Sequence, residues 1–218
     1  MITLFLTRHA KSTRNYYDEK GSINHNYNIT ENTFHDTALC PEGIESVILQ
    51  RQKLQENIGS VDFIMTSPMK RCIQTCLATY EKKSYLPPIY VFPLLTEFGN
   101  RPDSIGKSMI EISTDPDIFE YNHYKSLDFQ SIFMESVPIT NPVDVMKNTS
   151  WTDSNFLLDS SRIHKFISFL KKNFMGKKIH AFTHSGFIKY FLGINAHNYQ
   201  TFCIVIDTIN NKITWEHV

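Results

Sequence analysis

Ile2-Thr3-Leu4-Phe5-Leu6-Thr7-Arg8-His9-Ala10 opens the chain with apolar residues alternating with Thr, and runs directly into a cation and an imidazole. Alternation of that period marks a strand, and the polar residues at its end belong to the loop it delivers. The pattern recurs far along the chain. Lys178 to Thr183 reads as a strand, followed by His184-Ser185-Gly186 and a short helix from Gly186 to Leu192. Between them, Val61 to Met65 predicts another strand, and Ser67-Pro68 starts a helix reaching about Tyr80, with Arg71 in its first turn. Pro41 suits the first position of a helix that carries Ile44, Val47, Ile48, Leu54 and Ile58 on one face. Pro87-Pro88 breaks the chain before a short strand, Ile89 to Phe92. Asp159 caps the clearest helix, with Ile163, Phe166, Ile167, Leu170 and Phe174 on one side and Lys171 and Lys172 at its C-terminal end. Thr201 to Thr208 and Lys212 to Val218 predict a hairpin across Asn210-Asn211, with a type I′ turn. Strands alternating with helices imply an α/β three-layer sandwich, a mostly parallel sheet with helices on both faces.

The length of 218 residues fits a single domain spanning 1–218. Residues 98–150 break the alternation: Pro102, Pro116, Pro138 and Pro142 interrupt any sustained period, and the segment reads as an inserted cap or lid. Lys+Arg and Asp+Glu are both 22, a formal charge of zero, which excludes the basic footprint of a dedicated nucleic-acid binder. No stretch approaches the apolar run of a membrane span, and the N-terminus lacks the basic and apolar regions of a signal peptide. Cys40, Cys72, Cys76 and Cys203 form no C-x-x-C pair and read as reduced thiols, which points to a cytoplasmic protein.

Ligands of open parallel sheets bind beyond the carboxyl ends of the strands. One strand ends at Arg8 and His9, another at His184, and Arg71 follows a third. Two Arg and two His would therefore meet at one sheet edge as an anion pocket, with helix N-termini adding amide donors. No carboxylate cluster has metal-site spacing, so no metal and no cofactor is expected.

In this ordered set the sequence resembles the histidine phosphatase superfamily, in its phosphoglycerate-mutase-like branch. The R-H-G motif stands here as Arg8-His9-Ala10, with Ser12 and Asn15 following. L-T-x-x-G becomes Leu39-Cys40-Pro41-Glu42-Gly43, and S-x-x-x-R-x-x-Q-T becomes Ser67 to Thr75 with Arg71, Gln74 and Thr75 in place. The L-x-E that supplies a proton donor is Leu95-Thr96-Glu97, and the distal histidine lies in Thr183-His184-Ser185-Gly186. Two positions depart from the pattern: Ala10 replaces a Gly, and Cys40 replaces a Thr that would cap the second helix.

The resemblance implies a phosphomonoester hydrolase in which His9 forms a phosphohistidine and Glu97 donates the proton, with Asp103 as the alternative donor. Arg8, Arg71 and a cationic His184 would hold the phosphate oxygens. Ser12, Asn15 and the amides near Ser185 would add neutral donors, and Arg101 would reach the substrate from the cap. The partner implied is a small phosphorylated molecule, neither nucleic acid nor membrane. Residues 98–150 carry four Lys/Arg and eight Asp/Glu, a net of −4. Such a cap suits neither a polyphosphorylated ligand nor the bisphosphate of a mutase, because like charge disfavours approach. A sugar-phosphate mutase or bisphosphatase, and a catalytically silent interaction module, stand as the alternatives. No pattern in the chain specifies an oligomeric state.

Overall fold

The computed structural model describes residues 1–20, 34–99, 101–129 and 154–218. Its strands are β1 (Ile2–Arg8), β2 (Phe63–Thr66), β3 (Ile89–Val91), β4 (Leu127–Asp128), β5 (Lys178–Thr183), β6 (Thr201–Asp207) and β7 (Lys212–His217). The helices are α1 (Thr13–Glu19), α2 (Pro41–Ile58), α3 (Lys70–Tyr80), α4 (Met109–Ser113), α5 (Pro116–Phe119), α6 (Ser154–Leu158), α7 (Ser161–Asn173) and α8 (Ser185–Leu192). The seven strands form one sheet in the order β4-β3-β2-β5-β1-β6-β7. Pairings from β4 through β1 are parallel, while β6 and β7 run antiparallel at the other side.

Strand period explains the layers. Leu4 and Leu6 of β1 enter a core with Phe166 and Leu170 of α7 and Phe187 of α8. Phe5, pointing the other way, packs with Val47 and Leu54 of α2 and Ala78 of α3. The sheet is thus covered on both faces, as the alternating pattern implies. Every residue of α3 from Arg71 to Tyr80 is buried, so its polar side chains need partners. Gln74 Oε1 accepts the Leu39 amide at 2.8 Å. Thr75 Oγ1 accepts the Ala10 amide at 3.0 Å and donates to the Arg71 carbonyl. These motif residues tie three loops together at the carboxyl edge of the sheet.

Several boundaries differ from the sequence expectation, each for a local reason. α3 starts at Lys70, and Ser67 is not its cap; the carboxylate of Asp36 accepts the Lys70 amide at 2.9 Å instead. Asp36 does so from a left-handed conformation (φ 47°), which an Asp tolerates better than most residues. α7 begins after Ser160, although Asp159 still accepts the Ser161 amide at 2.9 Å. The β6–β7 hairpin forms, but over residues 208–211 rather than a two-residue type I′ turn. Asp207 Oδ1 accepts the amides of Ile209 and Asn210, and this widens the loop so that only its last residue, Asn211 (φ 52°), is left-handed.

The two departures from the family pattern are accommodated. Ala10 has no positive φ, and its methyl is fully buried in the α2 core cluster. Cys40 stands at the α2 N-cap without a side-chain cap bond, and its thiol donates to the Lys11 carbonyl at 3.4 Å. Gly43 is the required residue there, because a Cβ would collide with the Lys11 carbonyl oxygen. Within 98–150 the described part holds short helices pinned by Lys70, which bridges Asp115 at 2.6 Å and Asp117 at 3.0 Å. The segment also returns to the sheet as β4, which its irregular sequence does not predict. Positions 130–150, including Phe133, Pro138 and Pro142, lie outside the described residues. No helix among the described residues is long and apolar enough to cross a membrane.

Candidate active site

β1, β5 and β2 end side by side, with Arg8 in register with Thr183 and Thr66 with Phe182. The residues that follow each strand therefore share one edge. The rings of His9 and His184 lie 5.2 Å apart at their centroids, in an edge-to-face arrangement. Arg71, from the first turn of α3, stands between them. Its Nε donates to His9 Nε2 at 3.2 Å and its Nη2 to His184 Nδ1 at 3.1 Å. The remaining Nη1 donates to the Asp103 carbonyl at 2.8 Å.

These contacts fix the tautomers, because a guanidinium only donates and a carbonyl only accepts. His9 Nδ1 lies 2.7 Å from the Ala10 carbonyl and must carry the hydrogen. Its Nε2 is left with an in-plane lone pair, the form a nucleophilic imidazole needs. His184 takes the opposite tautomer: Nδ1 accepts from Arg71, and Nε2 donates to Ser67 Oγ at 2.9 Å. In this arrangement both ring nitrogens of His184 are committed as a neutral ring. Burial holds both rings well below the usual imidazole range, with the Arg71 charge acting in the same direction.

Arg8 is half-buried and anchored by Nη1 on the Ala196 carbonyl at 2.8 Å, while its buried Nε finds no protein partner among the described residues. Burial lowers its pKa, and the Glu97 charge opposes that shift. Glu97 sits just past the turn at Pro93–Leu95, with Oε1 accepting the Phe98 amide at 2.9 Å. Burial pushes the Glu97 carboxyl above its ordinary value, against the pull of Arg71 and Arg8. Asp103 reaches the same region through its backbone carbonyl on Arg71, and its buried Oδ1 has no partner among the described residues.

Other expected site residues are placed less directly. Ser12 caps α1 and Asn15 completes a reciprocal capping box with it, so these side chains bond each other rather than standing open. Ser185 is the first residue of α8, and His184 is the N-cap of that helix. Arg101 is exposed, and no side-chain bond joins it to the other site residues among those described. Among the described residues no group of three or more His, Cys, Asp or Glu is placed to hold a metal ion.

Four contributors were not singled out from the sequence. Asn198 donates to the His9 carbonyl and to Asn15 Oδ1, both at 3.2 Å. Ser67 accepts from His184, and Gly186 faces Glu97 so closely that a Cβ would strike Oε1. Arg162 holds the backbone that carries Glu97. Ser67 and Gly186 do fall within quoted motifs, but their partners are not legible in any spacing.

A doubly covered, mostly parallel sheet with two neutral imidazoles gathered around a guanidinium at the carboxyl ends of its strands defines the protein as an α/β sandwich with one polar edge site. The family model of the histidine phosphatase superfamily (branch 1) matches residues 4–136, and the chain belongs to that superfamily. No curated protein matches the sequence. Among solved structures the fold is similar to the alpha-ribazole phosphatase from Shigella flexneri, at 16% identity and a TM-score of 0.59 over 99% of this chain and 95% of that one. It is similar also to the ecdysone phosphate phosphatase of the silk moth Bombix mori in complex with tungstate, at 12% identity and TM-score 0.58, covering 100% and 92%. A third is the phosphoserine phosphatase from Entamoeba histolytica in complex with 3-phosphoglyceric acid, at 18% identity and TM-score 0.54, covering 100% and 96%. At these identities the likeness is one of fold.

Proposed function

We propose that this protein is a phosphomonoester hydrolase that works through a phosphohistidine on His9. The observation that carries the reading is the neutral, buried His9 ring, whose Nδ1 hydrogen is held by the Ala10 carbonyl and whose Nε2 lone pair accepts from Arg71 Nε, a donor that turns to a phosphoryl oxygen before Nε2 attacks. In the first step Nε2 attacks phosphorus, the bond to the leaving oxygen breaks, and the Glu97 carboxyl gives that oxygen its proton. In the second step the Glu97 carboxylate takes a proton from water, whose oxygen attacks phosphorus as the nitrogen–phosphorus bond breaks. Inorganic phosphate leaves, and His9 returns to its neutral form. Division into two displacements is ordinary covalent catalysis.

Arg8 and Arg71 are the fixed positive charges for the phosphoryl oxygens, where transition-state charge accumulates. His184 Nδ1 accepts from Arg71 Nη2 until substrate binds, and its release frees that N–H for a phosphoryl oxygen. A phosphate dianion favours protonation of His184, and Nδ1 then becomes a donor toward an oxygen. Burial pushes the Glu97 carboxyl upward and so favours the protonated form that a proton donor needs. The described part of 98–150 reaches Arg71 through the Asp103 carbonyl, and the net charge of −4 over the whole segment favours a monophosphate over a polyphosphate. The charge supplied by Arg8 and Arg71 lets the reaction run without a metal. Four free thiols fit a reducing, cytoplasmic setting. The names of the structural relatives, phosphatases of small phosphorylated molecules, agree with this reading.

The test is phosphate release from a panel of phosphorylated metabolites with the native protein, His9→Ala and Glu97→Gln, with and without a chelator. The reading predicts turnover that survives chelation, is abolished in His9→Ala and falls at least ~100-fold in Glu97→Gln. Full activity in His9→Ala contradicts it.

A further inference from the structure

Among the described residues, Arg162 is the largest side chain that is completely shielded from solvent. It is a cation at the second position of α7, where the helix dipole is unfavourable to positive charge. Among the described residues no salt bridge to a carboxylate involves it. A buried guanidinium of this kind is costly, and an apolar residue of similar volume would ordinarily serve a core better. What the guanidinium does instead is grip the backbone. Nη1 donates to the carbonyls of Thr96 at 2.9 Å and Leu94 at 3.4 Å, and Nη2 donates to Glu97 at 3.1 Å and Leu157 at 3.1 Å. Its plane lies over the Phe98 ring at 3.9 Å, with Phe156 at 5.1 Å.

The gripped segment is the one that carries Glu97. Its remaining carbonyl, at Leu95, accepts the Thr183 hydroxyl at 2.6 Å, one residue before His184. Each carbonyl from Leu94 to Glu97 is therefore taken by a side chain, three by Arg162 and one by the strand that delivers His184. The side chain of Glu97 is meanwhile pressed against Gly186 at the start of α8. The backbone that bears Glu97 is thus anchored at every carbonyl beside the edge where the histidines meet.

We propose that Arg162 is a positioning residue for the proton transfer made by Glu97: its guanidinium fork locks the Leu94–Glu97 backbone so that the carboxyl meets the leaving oxygen. Arg162 itself touches neither substrate nor the reacting atoms. The inference rests on the reading of Glu97 as proton donor, and the two are separable by leaving group. A poor leaving group, such as the alkoxide of a simple alkyl phosphate, needs the proton as its bond breaks. The 4-nitrophenolate of 4-nitrophenyl phosphate does not.

The experiment measures kcat/KM, which reports the steps through leaving-group departure, for 2-phenylethyl phosphate and 4-nitrophenyl phosphate. The native protein, Glu97→Gln, Arg162→Met and Arg162→Lys are compared. The ratio of the two constants is taken on the same sample, so a partly unfolded variant does not distort it. Arg162→Met is expected to lower the alkyl-to-aryl ratio at least ~10-fold in parallel with Glu97→Gln, within the scale of a lost general acid. Arg162→Lys, which keeps the charge but loses the planar fork, is expected to recover little of it. If Glu97→Gln lowers the ratio and the Arg162 variants leave it at the native value, the positioning role is overturned and the donor stands. A ratio unchanged in Glu97→Gln overturns the donor assignment, and the role of Arg162 with it.

Discussion

Glu97 occupies the space a side chain on Gly186 would need. Gly186→Ala is therefore expected to displace the carboxyl while costing the fold little, because the obstructing atom is the far end of a flexible side chain. Turnover should fall toward that of Glu97→Gln with less than ~1 kcal/mol lost in a denaturant titration, the scale of a strain-free surface change. Glu97 also carries a stability signature. Its folded pKa is raised, so as pH climbs past the ordinary carboxylate range the unfolded chain ionises first and the folded state is penalised, fully so above the folded pKa. Glu97→Gln should raise the melting temperature at neutral pH, and the gain should vanish below the ordinary carboxylate range, where both states are protonated. A melting temperature unchanged at both pH values would argue that the carboxyl is not shielded from water. His9, His184 and Arg71 were legible in the sequence because each stands at or just beyond a strand end, where topology alone brings them together. Gly186 and Arg162 were not legible as Glu97 partners. They act across 89 and 65 residues of separation, through packing that no local period encodes.

Helix starts show where local signals were sufficient and where they were overridden. Pro41 fixed the start of α2 as expected. The start of α3 moved to Lys70 because Asp36, distant in sequence, supplies the cap, and Ser67 is needed by His184. The hairpin loop lengthened because the Asp207 carboxylate captures two amides of its own turn. In both cases a side-chain oxygen overrode the expected pattern, a distant one for α3 and one within the turn itself for the hairpin. The vacant cap of α2 gives a direct prediction. Cys40 has the extended backbone of an N-cap residue (φ −82°, ψ 163°) but makes no side-chain cap bond. Cys40→Thr is expected to stabilise the protein by about 1 kcal/mol, seen as a higher denaturant midpoint with an unchanged slope. A lower midpoint would mean that the thiol contact with Lys11 matters more than the missing cap.

Over the whole molecule, the layered sheet was legible because strand and helix periods alternate cleanly, and the segment 98–150 was not, because its prolines leave no period to read. The fold also buries three imidazoles that share one electrostatic fate. His9 and His184 at the site, and His180 in the core between Thr7 and Tyr80, are all held neutral by burial, His180 down to about 3. A depressed folded pKa means that the unfolded chain binds protons the folded chain refuses. Stability should thus be level above the ordinary imidazole range near pH 6.5 and fall as pH drops below it, by up to ~1.4 kcal/mol per pH unit for each histidine. Denaturant midpoints measured from pH 8 to pH 4 check this, and a midpoint that rises on acidification down to pH 5 would contradict it. The central claim concerns His9 alone, and one measurement reaches it. Rapid quenching of the protein with a turned-over phosphomonoester, followed by intact-mass and peptide analysis under alkaline conditions, should find one acid-labile phosphoryl group on the peptide containing His9, absent in His9→Ala. A phosphoryl group on any other residue, or burst-phase product release with no phosphorylated protein, would contradict the account.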